Sequence, residues 1–441
     1  MFGKFQKNDR TIGFGAALLF FASFGCRYAA SDGTETAMGT DTLPNDTDTV
    51  DAPPSLNVGR NLPFNVTIQA GCDIDIVQDH ELMITNLDVV EDIQRTHWNG
   101  DVEDPISGAW SFGRLMTAMA GPVNASEFVT RWFQIWRNTV YLNGAEVAAR
   151  NGLSGVMLGW PRTGTGELDL TQSPMRLLAI TNRIDLADET RAGEGRFVFG
   201  LTEDDAALEF ALNLEYSLPL DVMSKEEWAE KWHALGEFDV GTPEYNAALQ
   251  EVTDAFTGID TDELPDTPYR PTDISQIVTN ENEFGNGIWE MREFNPDGTG
   301  QLAMRTLPMT PAWGFNSTVT LIRYLQEYEQ DILAGTYEVP LEYQGDPFRA
   351  AAVKYSGEAW DAPDVNPEAR HLLSLNSCNG CHGGETFTDF IHVQPREEGE
   401  ESVLSGFLTG IEVLDPIDKQ TVRHFDDLDR RADAMRAILC E

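Results

Sequence analysis

Lysine is scarce in this chain. Six lysines stand among 441 residues, and with arginine the basic side chains number 30 against 73 acidic ones, a formal net charge of −43. A surface so short of positive charge repels phosphate backbones and anionic headgroups, which argues against nucleic-acid binding. Several catalytic signatures are missing as well. There is no G-x-S-x-G elbow, no H-E-x-x-H pair, no Walker A loop and no complete G-x-G-x-x-G. The acidic stretch "DTDELPD" (260–266) lacks the glycine and spacing of a calcium loop and reads as solvated. Cysteine is sparse, with five residues, yet two of them stand three apart. The apolar fraction of 41% is that of a globular protein, and the length is enough for a substantial core.

The N-terminus reads as a targeting segment. Lys4, Lys7 and Arg10 precede the apolar run "TIGFGAALLFFASFG", which is short for a membrane span. The run ends in Ser23-Phe24-Gly25-Cys26 and resembles the lipobox of bacterial lipoproteins, with Ser at −3 where Leu is usual. That resemblance implies cleavage after residue 25, lipidation of Cys26 and attachment to the membrane through acyl chains. Arg27 in place of an Asp favours the outer membrane. Residues 26–56, rich in Asp, Thr, Gly and Pro, bury too little apolar surface to order themselves and read as a tether.

Residues 57–365 read as an α+β body with a mainly antiparallel sheet and packed helices. "FNVTIQ" (64–69) and "ELMITN" (81–86) predict short strands, and 107–150 predicts helix, with Asn124 as N-cap and an apolar face of Phe128, Trp132, Ile135 and Trp136. "RLLAITNRIDL", "GRFVFGL" and "EFALNLEYSLPL" predict strands. Ser224 and Glu227 form a capping box, and Thr242-Pro243 opens a helix bearing Tyr245, Leu249, Val252 and Phe256. "ISQIVTNENEF", "GIWEMREFN" and "QLAMRTLPM" return to strands, the last two joined by the turn "NPDGTG". Residues 318–333 predict another helix. Residues 366–441 read as a small, mostly helical C-terminal segment, with one helix running into the cysteine motif and a last one over 419–439.

The motif is Cys378-Asn379-Gly380-Cys381-His382, a spacing rare enough to be informative. It resembles the haem-attachment site of c-type cytochromes. That resemblance implies thioether bonds from Cys378 and Cys381, His382 as proximal ligand of the haem iron, and electron transfer to an unspecified redox partner. His392 is the candidate sixth ligand, and Met435, on the apolar stripe of the last helix, reads as core. The alternatives are a zinc site using Cys378 and Cys381 with two of His371, His382 and His392, or a local disulfide. "NRIDL…GEGRFVFG", "WHALG", "TNENEF…WEMREF" and "SLNSCNGCHGGET" together are similar to a family of large bacterial lipoproteins that end in a CxGCH-x-x-ET segment. This implies secretion and one folded unit, and transfers no catalytic role.

The leading expectation is therefore an exported envelope lipoprotein whose C-terminal segment carries haem c. The rival is a binding lipoprotein whose motif is structural, and a third reading is a haem-dependent oxidoreductase with its pocket in the body. Counting leaves Cys72 and Cys440 as an expected disulfide, since an oxidising compartment rarely leaves two thiols idle. If Cys26 carries the lipid, Cys26→Ala releases the protein from membranes into the soluble fraction. A variant that stays with the membrane pellet on fractionation would mean that the apolar run is retained as an anchor.

Overall fold

The computed structural model describes residues 73–258, 274–282, 287–297, 299–354 and 357–440. The signal segment, the tether, Cys26, Cys72, the strand expected at 64–69 and the acidic stretch 260–266 lie outside them. The architecture is α+β with a mainly antiparallel sheet. Its strands are β1 (Met83–Ile84), β2 (Met175–Arg183), β3 (Arg191–Glu203), β4 (Ala206–Pro219), β5 (Ile274–Glu281), β6 (Glu290–Pro296), β7 (Leu302–Arg305) and β8 (Val353–Lys354). They run β1-β2-β3-β4-β5-β6-β8 in space, with β7 also paired to β6.

The sheet is built from two kinds of row. Ile180, Phe197, Leu214, Ile277 and Phe294 stand opposite one another from β2 to β6. One residue further along β2 the row is Thr181, Arg196, Glu215 and Gln276. Successive side chains on a strand point to opposite faces, so one face is apolar and the other polar and charged. Both rows are buried.

Helices cover the apolar face. They are α1 (Phe112–Ala120), α2 (Ala125–Gln134), α3 (Lys225–His233) and α4 (Pro243–Thr257). Phe112 meets Phe199 edge-on at 5.8 Å between ring centroids, and Trp132 meets Phe294 at 5.7 Å. Phe256 lies 5.5 Å from both Phe197 and Tyr216 and 6.0 Å from Trp228. Its ring presses on Gly195, where a Cβ would come within 2.3 Å of it, so only glycine fits there. The expected caps form: Ser224 and Glu227 make the full capping box, and Thr242 caps α4 with Pro243 at its start.

The polar face is covered by the end of the chain. Helix α5 (Pro367–Asn376), the cysteine turn and helix α6 (Asp427–Leu439) lie there, and Phe407, Phe425, Leu428 and Met435 belong to the same core as Trp132 and Phe294. The described residues cluster as one compact unit.

Four local expectations are corrected. Within 107–150, residues Val140–Leu142 and Ala145–Val147 form a hairpin around Asn143-Gly144, both at positive φ, the turn chemistry that outweighs a helical pattern. The strand expected at 81–86 shrinks to β1, because Glu81 ends a helical turn. The helix expected at 318–333 breaks at Tyr328 into two. Residues 419–426 are not helical: Ile411–Leu414 pairs with Val422–Phe425. The turn between them is set by Asp415, which accepts from Ile417 N at 3.0 Å, and by Asp418, which accepts from Gln420 N at 2.8 Å. Helix α6 starts only after Asp426, whose side chain caps Asp429 N.

Phe256→Ala removes a ring held by three other aromatic residues and should lower stability by about 3–5 kcal/mol. Urea denaturation followed by tryptophan fluorescence measures it. A loss below 1 kcal/mol would mean that α4 does not anchor the apolar face.

Candidate functional site

Helix α5 begins at Asn366, whose side chain accepts from Glu368 N at 3.0 Å. It does not run straight into the motif. Ser377 is extended (φ −85°, ψ 147°) and breaks it. The Ser377 hydroxyl donates to Ser374 O at 2.7 Å and accepts from Trp360 Nε1 at 2.7 Å and Gly380 N at 3.2 Å. This pulls the following turn back against α5, so that a Cβ on Gly380 would lie 1.9 Å from Ser374 O. The glycine inside C-x-x-C-H is thus a packing requirement, and the turn it permits aims the motif at the polar face of the sheet.

Three donors converge there. Cys381 Sγ and one nitrogen from each of His382 and His392 all lie within 4.8 Å of one another. Cys381 Sγ is 3.5 Å from His392 Nε2, and the two imidazoles pack with centroids 4.1 Å apart. His382 Nδ1 donates to Phe390 O at 3.2 Å; a carbonyl only accepts, so the lone pair is on Nε2. His392 Nδ1 bonds Ser405 Oγ at 2.8 Å. A second ring nitrogen held by a backbone carbonyl or a side chain in this way is the usual setting of metal-ligating histidines. Burial, and then the neighbouring His382, push the His392 imidazole well below its ordinary value and keep it neutral. Burial, with Asp427 adding to it, pushes the Cys381 thiol up to about 12.

Cys378 is not among the converging donors. Its amide donates to Thr310 Oγ1 at 2.9 Å, and its side chain packs beside the apolar group that includes Val278 and Met291. Cys378 and Cys381 are both thiols, which leaves no local disulfide. His371, weighed as a zinc ligand, belongs to a different cluster. It bonds Glu385, which also takes Arg370 Nη1 at 2.6 Å, while Arg370 Nη2 reaches Asp415 at 2.7 Å. A guanidinium between the carboxylates makes that cluster an ion-pair network. Cys440 is disulfide-bonded; Cys72, its expected partner, lies outside the described residues. Met435 is fully buried core.

A cavity of ≈ 180 Å³ separates the three donors from the sheet. Thr181, Arg196, Glu215 and Asn280 line its sheet side, and Asp427 and Arg431 of α6 line it beside the donors. The charged groups are tied in pairs. Arg196 bonds Glu194 at 2.6 Å and Glu215 at 3.1 Å. Arg183 holds Asp185 at 2.8 Å, Arg430 bridges Asp185 and Asp427 at 2.7 and 2.6 Å, and Arg431 holds Asp427 at 2.6 Å. Burial works to raise the Asp427 carboxyl, but Arg430 and Arg431 outweigh it and hold it below the usual carboxylate range. None of these charged residues stood out in the sequence. The one signal was Arg431 on the apolar stripe between Leu428 and Met435; Glu215 sits with Asn213 and Ser217 on the polar positions of an alternating strand and gave none.

No protein-family model matches the chain, and no curated protein or solved structure does either.

Whether haem fits is a question of geometry. A porphyrin fills four coplanar positions around its iron, so two imidazoles reach that iron only from opposite faces. His382 and His392, with ring centroids 4.1 Å apart and planes inclined by 54°, leave no room for a porphyrin between them. They do not fit haem as a proximal and distal pair. They do fit a small ion: tetrahedral zinc with bonds of ~2.3 Å to sulfur and ~2.0 Å to nitrogen has S···N edges of ~3.5 Å, the Cys381–His392 separation found.

The Glu385 network gives a pH prediction. Burial acts to raise the Glu385 carboxyl, but the bond from His371 and the Arg370 guanidinium outweigh it and hold it low. A depressed carboxylate contributes stability that is present above its unfolded pKa of ~4 and is lost as pH falls through the native value. The melting temperature should therefore be flat from neutral pH to about 5 and fall below about 4. Glu385→Gln should cost about 3–5 kcal/mol at neutral pH by leaving Arg370 underpaired, and its acid decline should be shallower. Calorimetry showing parallel pH profiles for the two proteins would remove Glu385 from the acid response.

Proposed function

We propose that this chain is an exported envelope lipoprotein, anchored through Cys26, that holds one divalent ion at Cys381, His382 and His392. The observation that carries the reading is the convergence of one thiol and two imidazoles within 4.8 Å of one another, with Cys381 and His392 at the separation of a tetrahedral edge. A thiolate with two imidazoles suits zinc over the hard cations, which take oxygen ligands. Three protein ligands leave one coordination position, and here the donors face a cavity, the arrangement of a site that binds a small molecule. When bound, zinc supplies a Lewis acid. The chain's own residues do the rest. Phe390 O and Ser405 orient the two imidazoles, and His392 is kept neutral, ready to ligate. Cys381 gives up its proton on binding, which makes affinity rise with pH.

A second reading is haem c on Cys378 and Cys381 with His382 alone as iron ligand. It is favoured by the C-x-x-C-H spacing on a helical turn and by the carbonyl behind His382 Nδ1. One preparation separates the two. Full-length protein exported from a host with cytochrome c maturation machinery is expected to contain about one zinc per chain by mass spectrometry of metals and to give a colourless band in a haem-peroxidase stain after denaturation. Cys381→Ala combined with His392→Ala should lose the metal. A stained band that disappears in the Cys378→Ala, Cys381→Ala variant would overturn zinc in favour of haem.

A further inference from the structure

The charges around the three donors cancel. Arg183, Arg430 and Arg431 pair with Asp185 and Asp427, while Arg191 and Arg196 pair with Asp188, Glu194 and Glu215. A cation brought to Cys381, His382 and His392 must then be balanced by the thiolate or by an anion from solvent. A divalent ion leaves one positive charge to be matched, at a cost that rises with burial. A monovalent ion leaves none.

The cavity wall is chemically soft. Met83 of β1, Met291 of β6 and Met309 line it, three of the chain's twelve methionines, and Cys378 lines it too. The three methionines belong to different apolar groups: Met83 to the main core, Met309 to the group of Tyr324 and Trp360, and Met291 to the group of Val278. The cavity is the wall they share. Methionine fills space like a hydrocarbon, and its long unbranched chain can also present a sulfur lone pair without adding charge. The carboxylates that line the same cavity, Glu215 and Asp427, are already held by Arg196 and by Arg430 and Arg431. Thiolate and thioether ligands select copper(I), and imidazole also suits copper.

We infer that copper(I) displaces the divalent ion from this site, held by Cys381, His382 and His392 with a thioether of the methionine wall in the open position. The inference rests on the three-donor reading and names the ion that wins the site.

Anaerobic titration of the zinc-loaded, full-length protein with copper(I), buffered by a chromogenic copper(I) chelator, tests it. About one zinc is expected to leave per copper(I) bound. The variant with Met83→Leu, Met291→Leu and Met309→Leu keeps volume and apolarity. It should take up zinc as the wild type does but hold copper(I) at least ~10-fold more weakly, the least that loss of an outer-shell partner costs a metal site. Zinc that stays bound under excess copper(I), or a triple variant that holds copper(I) as tightly as the wild type, would overturn the inference. If the protein takes up no zinc, the divalent reading fails, and the same comparison on metal-free protein decides copper(I) by itself. If the triple variant does not fold, X-ray absorption at the copper edge of the Cys378→Ser protein decides. About two sulfurs per copper are expected there, from Cys381 and one thioether, and a single sulfur would sink the thioether.

Discussion

The structure depends on burying a charged sheet face. Thr181, Arg196, Glu215 and Gln276 form a row that a two-layer protein would ordinarily leave in water, and here it is buried, with Arg431 of the last helix bonded to Thr181. Such a face is tolerable only if each charge finds a partner inside. The partners come from both layers: Glu194 and Glu215 hold Arg196 within the sheet, while Arg430 and Arg431 reach down from α6 to Asp185 and Thr181. Helix α6 is therefore bound by directional polar bonds as well as by Leu428 and Met435, and its register over the sheet is set by them.

The site itself is held by other elements. The three donors sit within a short stretch of chain, 381–392, and their geometry is maintained from outside it. Ser377 and Gly380 set the turn against α5, Ser405 holds His392, and the Phe390 carbonyl is shared by His382 Nδ1 and Asn280 Nδ2 of strand β5. The last of these joins the cysteine turn to the sheet directly. A shift of β5 relative to its neighbours would thus be felt at an imidazole two bonds away.

Much of this was legible in the sequence, and the exceptions have physical reasons. The long strands and the capped helices declare themselves by alternation and by local caps, which need no tertiary partner. Cys381, His382 and His392 were visible because C-x-x-C-H is rare and a histidine follows within reach. Cys378 was assigned to the same centre by spacing alone; it lines the same cavity, but it packs beside the apolar group of Val278 and Met291 and is not among the three converging donors. Residues 419–425 fitted a helical stripe because Val422 and Phe425 are three apart, a spacing that a short strand ending in a turn can mimic. The charged face was hidden for a different reason. An arginine on an apolar stripe looks like an imperfection until its partner, far away in sequence, is brought opposite it.

The two faces of the sheet also differ in when their covers are made. Helices α1 to α4, which shield Phe197, Leu214 and Phe294, all leave the ribosome before strands β5 and β6, whereas the cover of the polar face is the last part of the chain. Domains fold progressively as they are synthesised, and exposed apolar surface during that wait is what makes a nascent chain aggregate. Here the surface left waiting is Thr181, Arg196, Glu215 and Asn280, which water solvates well. The polarity that makes this face costly to bury in the finished protein is what lets the unfinished one remain soluble.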